Sequence, residues 1–416
     1  MIRVIVFDTD GPFRQDGRHS AVDPRARMAG LTLLRRTILH AWRAGAQAAF
    51  VVARDEAAAQ LWASSEKGLP IPVTVLREGE GVPHVAPDDT LIWVSAHVWA
   101  PESTLTRLIA GHHGTPLAAY QQDAGISGPV VTSGSAVVSG GAAAEVLRRL
   151  LSGAGRLEAP YKHVDSEEAR RATERSFYVG LTSVTDGYVD RVFNRHISAW
   201  FTRLVIDLPV SPNHVTWLHF SFGLVAAWLF WQESYPLGLL GALLYQLSVA
   251  LDCSDGEIAR LKFQFSKFGS WLDVVTDNIV TVAIFAAVAK VAATRLGPAT
   301  GITLGVLAVS GVVMSVIVVF GLARLQNRLR PGQASSLAVT NRLGELDQAK
   351  SAGGTTLDRV INELTSRDHS VIVVLLALAG HLEYFAWLAG VGSHLFWASF
   401  AAIQLSMLRT ANAQSR

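Results

Sequence analysis

Short apolar runs and amphipathic runs alternate along the first part of the chain. Residues 2–7 (IRVIVF) are apolar and β-branched over the length of a strand, and residues 46–53, 73–76 and 91–95 repeat the pattern. Between them, residues 31–44 (LTLLRRTILHAWRA) place apolar side chains at helical spacing and run into Gly45, a helix stop. Residues 105–109 sit in another helical pattern. Strands alternating with helices predict an α/β domain with a mostly parallel sheet. Residues 123–142, rich in Gly, Ser and Val, read as loops and short strands, and residues 165–175 (DSEEARRATER) as a charged helical connector.

From about residue 212 long apolar runs take over. A helix needs about 20 mostly apolar residues to cross a bilayer, and six such spans are expected, near 213–232, 236–256, 269–293, 300–323, 370–388 and 391–408. A Gly-rich turn at Gly390 and Gly392 separates the last two. The alternative, a large water-soluble bundle, would need more protein to cover these runs than the chain has. In residues 186–208, Val189, Val192, Phe193, Ile197, Trp200, Phe201 and Leu204 recur at helical spacing among Arg191, Arg195 and Arg203. That is the pattern of a helix lying on a membrane surface; a linker helix packed on the soluble domain is the alternative. The expected organisation is an α/β domain over 1–180, an interfacial helix over 181–210 and an all-α six-helix transmembrane bundle over 211–416.

Charge orients the bundle. Arg260, Lys262, Lys267, Arg324, Arg328, Arg330, Arg342, Lys350, Arg359, Arg367 and Arg409 fall on one side, and little more than Lys290 and Arg295 on the other. The bias predicts a cytoplasmic N-terminal domain and cytoplasmic termini. No long apolar run follows the opening MIRVIVFDTD, so no secretory leader is expected. Charged residues make up 17% of the chain and hydrophobic ones 50%, against about 25% charged in an ordinary soluble protein. A net charge of +2 gives no footprint for a nucleic-acid partner. The single cysteine, Cys253, excludes an intrachain disulfide framework and a multi-cysteine zinc site; it reads as a small packing residue.

Carboxylates are costly at a membrane, and four gather at one place. Asp252 and Asp255 share a helix face at the end of the second span, and Asp273 and Asp277 share one at the start of the third. A short turn joins these helices, so the four side chains can converge. Four carboxylates with no equal group of cations would repel one another. A divalent cation resolves this, and oxygen ligands suit Mg²⁺ or Mn²⁺. Gly256, Ala259 and Gly269 leave room nearby for a ligand or a facing helix. Arg260 offers a guanidinium fork for phosphate.

The run DCSDGEIARLKFQFSKFGSWLDVVTD, residues 252–277, resembles the signature of the CDP-alcohol phosphotransferases, D-x2-D-G-x2-A-R-x8-G-x3-D-x3-D, and matches it at every fixed position. The resemblance extends over residues 186–408 and includes Pro212, Asn213 and Thr216 at the opening of the first span. It implies an integral-membrane enzyme that moves a phosphoryl-alcohol group from a CDP-alcohol, usually CDP-diacylglycerol, onto a hydroxyl acceptor and releases CMP. It implies that Asp252, Asp255 and Asp273 hold the metal, and that Asp277 is the general base and also a metal neighbour. Gly256, Ala259, Arg260, Gly269, Asn213 and Thr216 would line the nucleotide site. Family members lead us to expect a homodimer. If the acceptor carries a phosphate, as inositol phosphate does, Arg324, Arg328, Arg342 and Arg367 are candidates to bind it; taken singly, each is better explained as topology-setting charge.

The N-terminal part resembles a sugar-nucleotide or cytidylyl transferase domain in the order of its strands and helices. It departs from that pattern twice. DTDGPFRQDG stands where a Gly-rich phosphate loop with an Arg is expected, and Ser95 and His97 stand where a metal-binding Asp is expected. Both departures imply that nucleotidyl transfer has been lost. A competing reading takes VIVFDTDG as a phosphatase motif of the haloacid-dehalogenase type, with Asp8 as nucleophile and Asp10 as acid/base. For the whole chain the other readings are a synthase of soluble di-inositol phosphate, a transporter with a carboxylate cation site, and a membrane scaffold. A transporter would more often place its site at mid-membrane.

Overall fold

The computed structural model describes residues 1–9, 13, 20–65, 68–121, 128–137, 142–181, 193–329 and 369–414. The chain forms two compact units, Met1–Val179 and Gly180–Arg416.

The first unit contains strands β1 (Ile2–Phe7), β2 (Arg27–Met28), β3 (Leu31–Thr32), β4 (Ala48–Ala53), β5 (Val73–Arg77), β6 (Thr90–Ser95), β7 (Val98–Trp99), β8 (Leu117–Tyr120), β9 (Val130–Ser133), β10 (Gly155–Glu158) and β11 (Lys162–His163). Its helices are α1 (Leu33–Arg43), α2 (Glu56–Ser65), α3 (Glu102–Gly111), α4 (Ala143–Gly153) and α5 (Glu167–Val179). A seven-stranded sheet runs in the order β10-β8-β9-β6-β1-β4-β5. β1 pairs in parallel with β4 and β6, and β9 is antiparallel to its two neighbours.

Alternation along the central strands buries both faces. Val4, Val6, Val51, Ile92 and Val94 enter one core, while Ile5, Phe7, Phe50, Val52, Leu91 and Trp93 enter the other. This is why the central runs read as continuously apolar. α1 starts where Thr32 Oγ1 accepts the Arg35 N–H at 3.2 Å and stops before Gly45, whose φ of +105° suits glycine. The charged helix α5 is docked on its own unit. Glu174 Oε1 accepts the Ala29 N–H at 2.8 Å, and the buried Arg36 guanidinium lies 4.7 Å from the Phe177 ring centre.

The second unit is helical: α6 (Arg195–Val205), α7 (Pro212–Trp231), α8 (Tyr235–Lys262), α9 (Lys267–Leu296), α10 (Pro298–Leu329), α11 (His369–Leu378) and α12 (Phe385–Gln414). Ala226, Phe230, Tyr245, Ile284, Val288, Leu304, Val373 and Phe385 form part of its core. Large apolar side chains also point outward, among them Trp228, Leu243, Ile302, Val306, Ile317 and Trp387. An outward apolar surface of this extent suits lipid and not water.

Among the described residues, four helices are long and apolar enough to cross a membrane, where six spans were expected. α7 has the length, but its first turns carry Asn213, His214, Thr216 and His219, and the last two of these face other helices. α11 is 10 residues long, which is about 15 Å, half of a bilayer core. The break within the last apolar stretch also lies elsewhere than expected. Gly390 and Gly392 are inside α12, and the chain turns at Gly380, with φ +75°. The left-handed backbone is affordable at Gly380, whereas Gly390 and Gly392 keep helical neighbours.

Candidate active site

Three helices deliver the site. α8 carries Asp252 and Asp255, and both side chains are buried. α8 continues for almost two turns beyond Asp255 and closes at Phe263, whose φ is +56°. Ser266 then caps α9, its Oγ accepting the Gly269 N–H at 2.8 Å. This tight corner brings Asp273 back beside Asp255. α7 enters from a capping box at Ser211 and His214, with Pro212 in the first turn. One of its faces presents Thr216 and His219, three residues apart.

The functional atoms converge tightly. One ligand atom from each of His219, Asp252, Asp255 and Asp273 lies within 4.8 Å of every other. Thr216 Oγ1 donates to Asp255 Oδ2 at 2.6 Å, fixing that carboxylate. His219 Nε2 stands 3.6 Å from Asp252 Oδ1 and 3.9 Å from Asp255 Oδ2. Asp273 Oδ1 is buried with no hydrogen-bond partner among the described residues. A buried carboxylate oxygen is costly to leave unpaired, and a cation shared with its neighbours satisfies it. Hard oxygen donors with one imidazole fit a divalent ion.

Asp277 is not in this four-residue group. It lies one turn further along α9, near enough for the charges of Asp273 and Asp255 to act on it. Gly269 makes room for α7: a Cβ there would stand 2.9 Å from Asn213 Oδ1. Gly256 is open by comparison. A Cβ there would meet only Arg260, at 3.7 Å from Nη1, and the Arg260 side chain is exposed. Ala259 is half-buried one turn from Asp255. Arg324 is exposed on the last turns of α10; Arg342, Arg367 and the Arg328 side chain lie outside the described residues.

Two features of the site had only faint signals in the sequence. His219 is the first, flagged only by sharing a face with Thr216. The second is Glu257, 1% exposed between the motif positions Gly256 and Ala259. Glu257 Oε1 accepts from Arg195 Nη1 at 3.1 Å and from Ser198 Oγ at 2.7 Å, and Oε2 accepts from Thr202 Oγ1 at 2.7 Å. The face of α6 turned to the bundle is therefore polar, while Phe193, Trp200 and Leu204 are exposed on the outside. Ile197 and Phe201 are half-buried, and Val189, Arg191 and Val192 lie outside the described residues.

Residues 209–340 match the family model for CDP-alcohol phosphatidyltransferase. This part of the chain is similar to the CDP-alcohol phosphatidyltransferases. It takes in α7, α8, α9 and α10, and with them every residue of the carboxylate cluster. A bifunctional IPC transferase and DIPP synthase of Aquifex aeolicus is 33% identical over 123 residues, which are 30% of this chain and 28% of that protein. A phosphatidylinositol phosphate synthase of Corynebacterium glutamicum is 35% identical over 88 residues, 21% of this chain and 38% of that protein. These matches thus span well under half the length of either relative. Among solved structures, the inositol-1-phosphate CTP transferase from T. maritima covers 40% of this chain and 90% of its own at 12% identity and a TM-score of 0.31, too low to carry an assignment.

The first unit shows no comparable cluster among its described residues. Asp8 is buried, with Oδ1 accepting the Arg54 N–H at 3.0 Å and Oδ2 facing Trp62 Nε1 at 3.4 Å. A phosphatase nucleophile needs an open carboxylate, so this arrangement speaks against that role; Asp10 lies outside the described residues. Ser95 and His97 are buried as well. His97 Nε2 contacts Val22 O at 2.8 Å, and the His97 N–H donates to Ser95 Oγ at 3.1 Å.

Proposed function

We propose that this chain transfers a phosphoryl-alcohol group from a CDP-alcohol to a hydroxyl acceptor with release of CMP. The observation that carries the reading is the convergence of His219, Asp252, Asp255 and Asp273 within 4.8 Å, inside the part similar to the CDP-alcohol phosphatidyltransferases. Asp252, Asp255 and Asp273 would hold Mg²⁺ or Mn²⁺, which would supply charge neutralisation at the pyrophosphate. Thr216 keeps Asp255 in the ligating orientation. Gly256, Ala259 and Arg260 border the diphosphate, with Asn213 and Gly269 beside them at the α7–α9 contact. Asp277, set apart from the cluster, takes the proton of the acceptor hydroxyl. The new P–O bond forms as the P–O bond to CMP breaks, so the step needs positioning, charge neutralisation and one proton acceptor.

The donor we propose is CDP-diacylglycerol and the acceptor a phosphorylated inositol, with Arg324, Arg328, Arg342 and Arg367 as candidate phosphate contacts. The Corynebacterium relative's name supports this reading. The Aquifex relative's name supports a second one, a soluble CDP-alcohol donor giving a di-inositol phosphate. The site faces the cytoplasm in both, in line with the basic side of the bundle, and the protein works as a homodimer. The α/β unit is inactive in nucleotidyl transfer, a reading supported by the buried, internally bonded Ser95 and His97.

CMP release by the full chain tests the proposal, with CDP-diacylglycerol or a soluble CDP-alcohol offered against inositol phosphate, inositol, glycerol phosphate and serine. Acceptor-dependent release is expected, and Asp277→Asn is expected to lower it about 10²–10⁴-fold. Release with no donor and acceptor pair would sink the reading.

A further inference from the structure

Nε2 of His219 lies 3.6 Å from Asp252 Oδ1 and 3.9 Å from Asp255 Oδ2. Both separations are too long for an N–H···O hydrogen bond, which ends near 3.2 Å. They are close to the spacing of two donors on one ion: bonds of about 2.1 Å at about 90–110° put donor atoms about 3.0–3.5 Å apart. A shift of a few tenths of an ångström would bring the imidazole and both carboxylates onto one centre. The ring is also held in place. His219 is 2% exposed, and its backbone carbonyl accepts Ser248 Oγ from α8 at 2.7 Å. This clamps the α7 turn that carries His219 against the helix that carries Asp252.

We propose that His219 is a nitrogen ligand of the metal centre, and that the site prefers Mn²⁺ to Mg²⁺. The inference rests on the reading of the carboxylate cluster as a metal centre. Mg²⁺ keeps oxygen ligands and water in a strict octahedron, whereas Mn²⁺ shares its taste for carboxylates but, as a first-row transition ion, accepts an imidazole beside them more readily. The preference is therefore set on α7, outside the Asp-rich run of α8 and α9.

Pulsed EPR of Mn²⁺ bound to the full chain in detergent reads this directly. The expected result is nitrogen modulation from a coordinated imidazole. It should change when histidine is labelled with ¹⁵N and vanish in His219→Gln. In the same preparations, His219→Gln should weaken Mn²⁺ binding at least ~10-fold and leave Mg²⁺ binding within about twofold. The labelled wild-type protein gives the answer even if the variant does not fold. Bound Mn²⁺ without nitrogen modulation overturns the histidine ligand and leaves the carboxylate centre standing. A spectrum of hydrated Mn²⁺ alone overturns the centre and the ligand together.

Discussion

Asp8 and Asp89 in the α/β unit and Asp252, Asp255 and Asp273 in the helical unit are all carboxylates withdrawn from water, yet their surroundings differ. Asp89 is met by the N-terminal ammonium at 3.0 Å, by Arg3 Nη2 at 2.9 Å and by the Ala86 N–H at 2.9 Å. Asp8 is held by the Arg54 N–H and Trp62. Each is an isolated acid with donors of its own. In the helical unit the acids face one another, and Asp273 Oδ1 has no donor among the described residues. Glu257 shows that the second unit can also satisfy a buried acid, since three side chains of α6 converge on it two residues from Asp255. Crowding at the cluster is thus a local property of the site, and it marks a place that could hold a cation.

The comparison can be broken by substitution. Asp273→Ala should cost several kcal/mol of transition-state stabilisation, at least ~10²-fold in CMP release. If release survives, the crowded acids are structural, as Asp89 is. Glu257→Ala removes the buried carboxylate that Arg195, Ser198 and Thr202 share, and losing one member of a buried pair costs about 3–5 kcal/mol. Thermal unfolding of the helical unit should fall accordingly, and by less in Glu257→Gln, which keeps an acceptor. An unchanged midpoint would remove Glu257 as the tie between α6 and α8.

The smallest effect separates the two acids of the α/β unit. At Asp8 burial dominates and pushes the carboxyl up, against the Arg54 N–H and Trp62. At Asp89 desolvation also raises it, but the Ala86 N–H, the N-terminal ammonium and Arg3 together hold it below the usual range. A lowered carboxyl supports folding above about pH 4 and loses that support as pH falls through its folded value. A raised one works the other way, and folding gains as pH falls toward about 4. Thermal melts should show Asp89→Asn lowering the neutral-pH midpoint by a few degrees and Asp8→Asn raising it. Shifts of the same sign would refute the contrast.

What the sequence made legible follows from what periodicity encodes. Central strands buried on both faces read as solid apolar runs, so β1, β4 and β6 fall on stretches expected, and the edge strand β5 falls on the shorter apolar run at 73–76. The Asp spacing located the corner between α8 and α9 because helix geometry alone fixes which residues share a face. His219 and Glu257 were hard to see because their partners are distant in sequence: Glu257 meets residues of α6, and His219 meets α8. The polar side of α6 is hard to read for the same reason, since its carboxylate partner lies on α8. A Ser and a Thr on an amphipathic helix look solvent-facing until their carboxylate partner is known. Gly380, Gly390 and Gly392 cannot be ranked as breakers by composition, since the choice depends on which carbonyls find donors.

At that break the freed carbonyls are taken up by side chains. Tyr235 Oη donates to Leu378 O at 3.0 Å, and Arg295 Nη1 donates to Gly380 O and, at 3.0 Å, to Glu383. Anyone engineering this protein for expression would be tempted to replace an arginine in such apolar surroundings with leucine. Hydropathy scoring would reward the change. The exchange would take a donor from the Gly380 carbonyl and leave Glu383 with His381 alone among the described side chains, at a cost that added hydrophobicity does not recover. Redesign of this bundle has to count backbone acceptors before it counts apolar side chains.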